Sequence, residues 1–187
     1  MDADKLARLE RLLDRQDITD CLARFSRGMD RFDRDLVLSA FHPDAVIAAG
    51  DFVGGPGELY AWARDMHDKG QIATHHNLLN NTCDIDGDTA HCETYYLFAA
   101  RNRDDTNWIA GGRYFDRFER RDQVWRIALR TNVIEWSGAV PTMPIPFADV
   151  AGYLRERCGR TRPNRPVLPT TSYQPPATPQ PAGGIGV

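Results

Sequence analysis

Four long stretches of β-forming sequence follow one another in the second half of the chain, and they restrict the fold more than any other feature. The stretches cover residues 72–85, 89–101, 108–120 and 124–136. The short polar segments between them contain Asp, Asn and Gly, which is the composition of hairpin turns. This spacing predicts an antiparallel meander of four strands.

A periodic apolar stripe predicts that residues 4–33 form a first helix. The stripe recurs at i, i+4, i+7 and i+11 and consists of Ile18, Leu22, Phe25 and Met29. Upstream, a similar stripe extends it with Leu6, Leu9 and Leu13. Asp30 falls on the border of the stripe, about 100° from its centre. Its carboxylate can therefore face either the interior or the solvent.

Two shorter helices and one short strand are predicted between the first helix and the meander. Asp33 is a suitable cap for a second helix that includes Phe41, and His42-Pro43 ends that helix, because proline forces its predecessor out of the α region. A strand is predicted over residues 45–49. A third helix is predicted over residues 58–69, and Gly70 ends it. Helices followed by long strands predict an α+β domain whose helices cover one face of a curved sheet.

The C-terminal part of the chain differs in composition from the rest. Ten of the twelve prolines lie between Pro141 and Pro181. The sequence therefore predicts one domain over residues 1–140, followed by a Pro-rich extension over residues 141–187 that is partly ordered at most. Within this extension, residues 148–158 have the pattern of a short amphipathic helix.

Charge and cysteine content narrow the range of partners. Lys plus Arg is 23 and Asp plus Glu is 26, which gives a net charge of −3 and no reason to expect nucleic acid or an anionic membrane as partner. The N-terminus lacks the pattern of a secretory signal, so a cytoplasmic location is expected. No CxxC pair occurs, and we expect the cysteines to be small buried apolar side chains, without a zinc site: Cys21, Cys83, Cys92 and Cys158.

The segment 74–80 carries two imidazoles where a core strand would carry Val or Ile. Alternation places His76, Leu78, Asn80 and Thr82 on one face of the strand. The opposite face carries His75, Asn77, Leu79, Asn81 and Cys83. A carboxylate that binds one nitrogen of His76 would fix its tautomer and leave the other nitrogen to move a proton, and Asp30 is placed to do so. The alternatives are a structural histidine and a solvated aspartate.

On the last strand, one arginine shares a face with apolar side chains. Alternation groups it with Ala128, Asn132, Ile134 and Trp136, opposite Trp125, Ile127, Leu129 and Val133. Arg130 is therefore a candidate for binding a substrate group, and the alternative is a charge at the rim of the sheet with its stem packed flat. The chain contains no Gly-x-Ser-x-Gly elbow, no phosphate-binding loop and no dinucleotide fingerprint.

Several short motifs then carry a resemblance to a known family. They are RGMDRFD at 27–33, FHPDA at 41–45, His76-x-x-x-Asn80, DIDGDTA at 84–90, GRYFDRF at 112–118 and VWRI at 124–127. With these motifs the chain resembles, over about residues 6–136, the SnoaL-like branch of the nuclear-transport-factor-two-like superfamily. That resemblance implies a cone-shaped α+β barrel.

Within that superfamily, the pattern is most similar to the scytalone dehydratase, bile-acid 7α-dehydratase and hexachlorocyclohexane dehydrochlorinase group. The resemblance implies that Asp30 and His76 form a catalytic dyad and that Arg130 helps to hold the leaving group. Phe25 stands where these enzymes carry a tyrosine or a lysine that assists the leaving group. Tyr96, Tyr114 and Arg130 are the candidates for replacing that polar group.

The expected function is therefore a cofactor-independent acid–base enzyme, a dehydratase or another lyase, that acts on a small hydrophobic molecule. No metal is expected. The candidate pocket walls, for which apolar core is the alternative, are Phe25, Trp62, Met66, Leu78 and Trp136. Other interpretations are an isomerase or cyclase with the same dyad, and a non-catalytic ligand-binding or oxygenase-small-subunit-like module. We expect a homo-oligomer, with a trimer favoured over a dimer.

Overall fold

The computed structural model describes residues 2–144, which form three helices and six strands. The helices are α1 (Ala3–Arg31), α2 (Arg34–Leu38) and α3 (Pro56–Gly70). The strands are β1 (Phe41–Ala49), β2 (Phe52–Gly54), β3 (Gln71–Asp86), β4 (Thr89–Asn102), β5 (Asn107–Arg121) and β6 (Val124–Val140). The helix predicted at 148–158 and most of the Pro-rich extension lie outside the described residues.

All six strands join one curved sheet in the order β2-β1-β6-β5-β4-β3. β1 runs parallel to β6, and every other neighbouring pair is antiparallel. The predicted α+β class and the meander from β3 to β6 are confirmed. The sheet has free edges at β2 and β3, so the cone stays open. None of the helices within residues 2–144 is long and apolar enough to cross a bilayer.

The core lies between the helices and the concave face of the sheet. From α1 it receives the predicted stripe of Ile18, Leu22, Phe25 and Met29, all at most 5 % exposed. The largest strand side chains that are fully buried there include Phe41, Phe118, Trp125 and Ile127. The upstream leucines of α1 do not continue this stripe, contrary to the prediction: Leu6, Leu9 and Leu13 are exposed.

The segment after α1 differs from the prediction because tertiary pairing overrides the local pattern. α2 ends at Leu38, and Phe41 begins a strand instead of lying in a helix. Phe41 pairs with Ile127 of β6, whose amide donates to the carbonyl of Ala40 (2.9 Å). Pro43 is tolerated inside β1 because the β1–β6 register is interrupted between Phe41 and Val46. β2 was not predicted.

Two irregularities in register also correct the predicted strand faces. The β3–β4 register shifts between Leu78 and Asn81, so that Cys83 is buried although strict alternation placed it opposite His76. The β5–β6 register shifts between Arg117 and Phe118, so that Ile127 and Arg130 are both buried. One extra residue in a strand moves all later side chains to the other face.

The cysteines also differ from the prediction. Cys83 and Cys92 face each other across β3 and β4 and form a disulfide. Cys21 is the free cysteine among the described residues; it is buried, and burial raises the pKa of its thiol to about 11.

The disulfide predicts how many thiols react in the unfolded protein. Reduction should raise by two the number of cysteines that react with a thiol reagent in denaturant, because Cys83 and Cys92 are bonded to each other. After reduction all four should react. Four reactive thiols before reduction, in protein purified without reductant, would show that the pair is not bonded.

Candidate active site

Asp30 and His76 contact each other at the place where the end of α1 lies against β3. Asp30 Oδ1 lies 2.6 Å from His76 Nδ1, and Asp30 Oδ2 accepts from the backbone amide of His76 (2.9 Å). The hydroxyl of Thr74 also donates to Asp30 Oδ1 (3.0 Å). The side chains are 19 % exposed for Asp30 and 9 % for His76. The Asp30 carboxylate is therefore held by β3, the strand that carries His76.

Local structure fixes the position of Asp30 on its helix. α1 ends at Arg31, its C-cap Phe32 adopts a left-handed conformation (φ 53°), and α2 then packs against α1. A Cβ on Gly28 would lie 2.7 Å from Val37 Cγ2 and 2.8 Å from the Val37 amide nitrogen. Only glycine permits this close approach, so that the last turn of α1, with Asp30, is held in place by α2.

The hydrogen-bond pattern determines which ring nitrogen of His76 carries the proton. An ionised carboxylate only accepts hydrogen bonds, so Nδ1, which faces Asp30, must be the donor. In the neutral ring, Nε2 then has a free lone pair. This is the arrangement in which one imidazole nitrogen is anchored and the other is able to accept a proton.

Aromatic rings surround the His76 side chain. Their centroids lie 4.8 Å away for Phe98, 5.9 Å for His67 and 6.3 Å for Phe25. A cavity of about 280 Å³ opens on the Asp30 side and is lined by Ser26, Arg27, Asp30, Arg31, Ala73, Thr74 and His75. The His76 ring does not line this cavity. The carboxylate is therefore reached from the cavity, and the ring faces the aromatic interior.

His67 belongs to this site and was not identified from the sequence. Its ring stacks on Phe98 (5.6 Å), meets the His76 ring edge to face, and hydrogen-bonds through Nδ1 to the side-chain oxygen of Gln71. Burial lowers the pKa of His67, and the bond to Gln71 opposes this shift more weakly. Leu59 and Ala63 precede His67 by eight and four residues and are buried on the same side of α3. This spacing in the sequence indicates that His67 lies on the buried side of α3.

The lowered pKa of His67 predicts how stability depends on pH. The unfolded state takes up a proton near pH 6.5, whereas the folded state does so at lower pH. Between these values the unfolded state binds more protons, so the free energy of unfolding should fall as pH falls below about 6.5. His67→Phe should make this fall shallower. Urea unfolding of both proteins from pH 5 to pH 8 checks it, and parallel curves would contradict it.

Arg130 and Asp116 form a fully buried ion pair on the concave face. Arg130 Nε and Nη2 donate to the two carboxylate oxygens of Asp116, both at 2.7 Å, and the side chains are 1 % and 0 % exposed. The guanidinium carbon also lies 4.3 Å from the ring centroid of Phe25 and 4.2 Å from that of Tyr114. Nη1 has no hydrogen-bond partner among the described residues. Phe25 thus contacts both Arg130 and the His76 ring.

The two candidate tyrosines stack on each other behind this pair. The rings of Tyr96 and Tyr114 are 4.5 Å apart, and burial raises the pKa of both hydroxyls. Gly112 makes room for them, since a Cβ there would lie 2.9 Å from Tyr96 Oη and 2.0 Å from the carbonyl oxygen of Val133. Both hydroxyls keep their protons at neutral pH and are therefore hydrogen-bond donors.

The remaining predicted wall residues differ in their positions. Leu78 is half-buried and packs against the core. Trp62, Met66 and Trp136 are 41 %, 45 % and 50 % exposed. Trp62 stacks on Phe52 (5.3 Å), and Trp136 covers Gly111. The structure therefore groups Phe25 and Leu78 with the interior and leaves these three side chains at the surface.

Comparison with known proteins relates this geometry to a family and to a fold. The family model described as SnoaL-like domain matches residues 10–131. Among curated proteins, no relative matches.

Several solved structures share the fold at low sequence identity. Hexachlorocyclohexane dehydrochlorinase LinA-type3 from Novosphingobium barchaimii is 18 % identical over 74 % of this chain and 99 % of its own, with a TM-score of 0.67. A candidate scytalone dehydratase from Novosphingobium aromaticivorans is 18 % identical over 71 % and 91 % of the two chains, with a TM-score of 0.62. A candidate aromatic-ring hydroxylase from the same organism is 23 % identical over 69 % and 94 %, also with a TM-score of 0.62.

Proposed function

The chain belongs to the SnoaL-like domain family, and on that premise we propose that it is a cofactor-independent lyase of the dehydratase type. Its substrate is a small, largely hydrophobic molecule, and its acid–base group is the Asp30–His76 dyad. The observation that carries this proposal is the 2.6 Å contact between Asp30 Oδ1 and His76 Nδ1.

In the proposed reaction, His76 Nε2 removes a proton from a carbon of the substrate. The electron pair of the broken C–H bond forms a C=C bond as the neighbouring leaving group departs with its own bonding pair. His76 becomes an imidazolium ion, and Asp30, which already accepts its Nδ1–H, stabilises that charge. Because the carboxylate is anchored by the amide of His76 and the hydroxyl of Thr74, the ring needs little reorganisation.

The leaving group needs a partner, and Phe25 cannot supply one because a phenyl ring neither donates a proton nor binds an anion well. We assign this role to the Nη1 donors of Arg130, with Tyr96 and Tyr114 as the alternatives. Nη1 stays available because Nε and Nη2 donate to Asp116. A buried cation beside apolar rings would favour a departing anion over a neutral group.

The substrate needs space between His76 and Arg130, where Phe25 now lies. We propose that Phe25 changes rotamer when the substrate enters and then forms one wall of the pocket, with Leu78 as another. Trp62, Met66 and Trp136 are further candidates for the entrance, since their side chains are exposed. An apolar pocket with few polar groups suits a hydrophobic ligand.

Phe25 stands where the similar enzymes carry a polar side chain, and this difference also supports a second candidate function. Without a polar group there, the fold would serve as a non-catalytic ligand-binding module or as a partner of an oxygenase, and one structural neighbour is a candidate aromatic-ring hydroxylase. An isomerase or cyclase would use the same dyad without a leaving group. The alternatives therefore differ in whether a product forms and in whether its mass differs from that of the substrate.

Product analysis separates these functions. The purified protein is incubated with a panel of cyclic and aromatic compounds that carry a halide or a hydroxyl next to an acidic C–H bond. A lyase gives a product lighter by HX or water, and an isomerase or cyclase gives a product of unchanged mass. Binding without any product, measured by calorimetry on the same compounds, would support the binding module and contradict the enzyme.

We propose a homo-oligomer, with a trimer favoured over a dimer, in the cytoplasm. The convex face of the sheet carries exposed apolar side chains, namely Val46, Tyr95, Phe115 and Leu129. Covering such a face in a symmetric assembly removes apolar surface from water.

A further inference from the structure

The first three turns of α1 extend beyond the rest of the domain. Every residue from Asp2 to Leu13 is exposed. Hydrogen bonds to the sheet begin at Asp14, which accepts from Trp125 Nε1 and Arg120 Nη1, both at 2.8 Å. The projecting part, residues 3–13, is about 16 Å long at 1.5 Å per residue. Helices in proteins are stabilised mainly by the packing of an apolar face, and within the described residues of the single chain these turns pack against nothing.

The projecting turns carry a leucine stripe, defined as Leu6, Leu9, Leu12 and Leu13, whose members are 40–66 % exposed. The leucine stripe faces away from the sheet of its own chain, so that sheet cannot cover it. Leu9 lies nine residues before Ile18, which is two and a half turns at about 100° per residue. Leu13 and Leu22 have the same separation. Because Ile18 and Leu22 face the core, the leucine stripe faces the opposite way.

The spacing and the charges beside the stripe indicate its partner. Leu6, Leu9 and Leu13 are three and four residues apart, as at the a and d positions of a coiled-coil seam. Lys5 and Glu10 then occupy the flanking g and e positions. In a parallel pair, position g of one helix lies next to the following e position of the other, so Lys5 of each copy faces Glu10 of its partner.

We propose that residues 3–13 of α1 pack in parallel against the same segment of a second copy of this chain. The leucine stripes form the seam, and two symmetric Lys5–Glu10 ion pairs set the parallel register. This interface lies at the end of α1 away from the Asp30–His76 dyad. It is additional to the assembly through the convex face proposed above, whose copies it joins in pairs, and it does not depend on the proposed reaction.

Sedimentation velocity of the full chain over a range of concentrations tests the seam. Leu9→Glu combined with Leu13→Glu keeps helix propensity and places charge in the seam. We expect it to raise the dissociation constant at least about 100-fold, since each leucine that the partner no longer covers weakens association about tenfold or more. The control is Arg11→Glu, on the opposite side of the same turn, which should leave association within about threefold.

Charge exchange tests the parallel register. At low salt, Lys5→Glu and Glu10→Lys should each weaken association, and the double variant should restore it, because the ion pair is re-formed with its ends reversed. A double variant no better than the singles would overturn the parallel arrangement. A monomeric wild type, or an unchanged mass in the leucine variant shown by circular dichroism to be folded, would overturn the interface itself.

Discussion

Replacing Asp116 by alanine should destabilise the protein by about 3–5 kcal/mol, since that is the usual cost of removing one partner of a buried ion pair. Arg130 is 1 % exposed, so its charge would remain in the core without a counter-ion. The neighbouring rings of Phe25 and Tyr114 offset only part of this loss. Urea unfolding gives the difference directly. A loss below about 1 kcal/mol would show that water reaches the guanidinium.

A double variant separates the effect of the lost contact from that of the unpaired charge. Asp116→Leu with Arg130→Met removes both charges and keeps similar volumes. Replacing a buried pair in this way is often neutral or stabilising, so stability should return to within about 1–2 kcal/mol of the wild type. Activity should not return, because the Nη1 donors of Arg130, which we propose bind the leaving group, are gone. Stability and function are thus measured separately at one site.

Replacing Asp30 by asparagine should lower kcat/KM by about 10²–10⁴ while the protein stays folded. Asparagine has the size of aspartate but no charge, and its amide can donate to Nδ1. The His76 ring then loses both the tautomer that leaves Nε2 free and the carboxylate that stabilises the imidazolium. Steady-state kinetics on a substrate found in the product analysis measures the change.

The matched control for this variant is Asp35→Asn. Asp35 is exposed in the first turn of α2, so its substitution changes the net charge equally without touching the dyad. We expect its kcat/KM to stay within about twofold of the wild type, since exposed charges act weakly at this range. Equal losses in both variants would mean that Asp30 acts through overall charge and has no specific role.

The elements that position the site follow from local patterns. The stripe of Ile18, Leu22, Phe25 and Met29 predicts α1 and its buried side, and the turn-bounded β-rich stretches predict the meander. The extra residue near Asn80, the early end of α2 and the strand at β2 do not follow from local patterns. They are decided by pairing between distant strands, which no window of the sequence contains.

The site itself was only partly predictable, for a related reason. His76 stood out by its residue type, the position of Asp30 on the border of the helix stripe made it a possible partner, and the resemblance matched it to the dyad aspartate. Asp116 shares a strand face with Tyr114 and Phe118, which was a signal of burial, but its partner Arg130 lies on another strand. His67 lies at a helical spacing from buried residues of α3, which indicates that it is buried. Only the packing of α3 against β3, however, brings it next to His76.

The central claim is that His76 moves a proton while Asp30 holds its ring, and one ratio tests it most directly. It is the ratio of kcat/KM for the wild type to that for His76→Gln, on one substrate and with thermal unfolding measured in parallel. We predict a ratio of at least about 100 with a melting temperature within about 4 °C of the wild type. A ratio below about three in a folded variant would contradict the dyad.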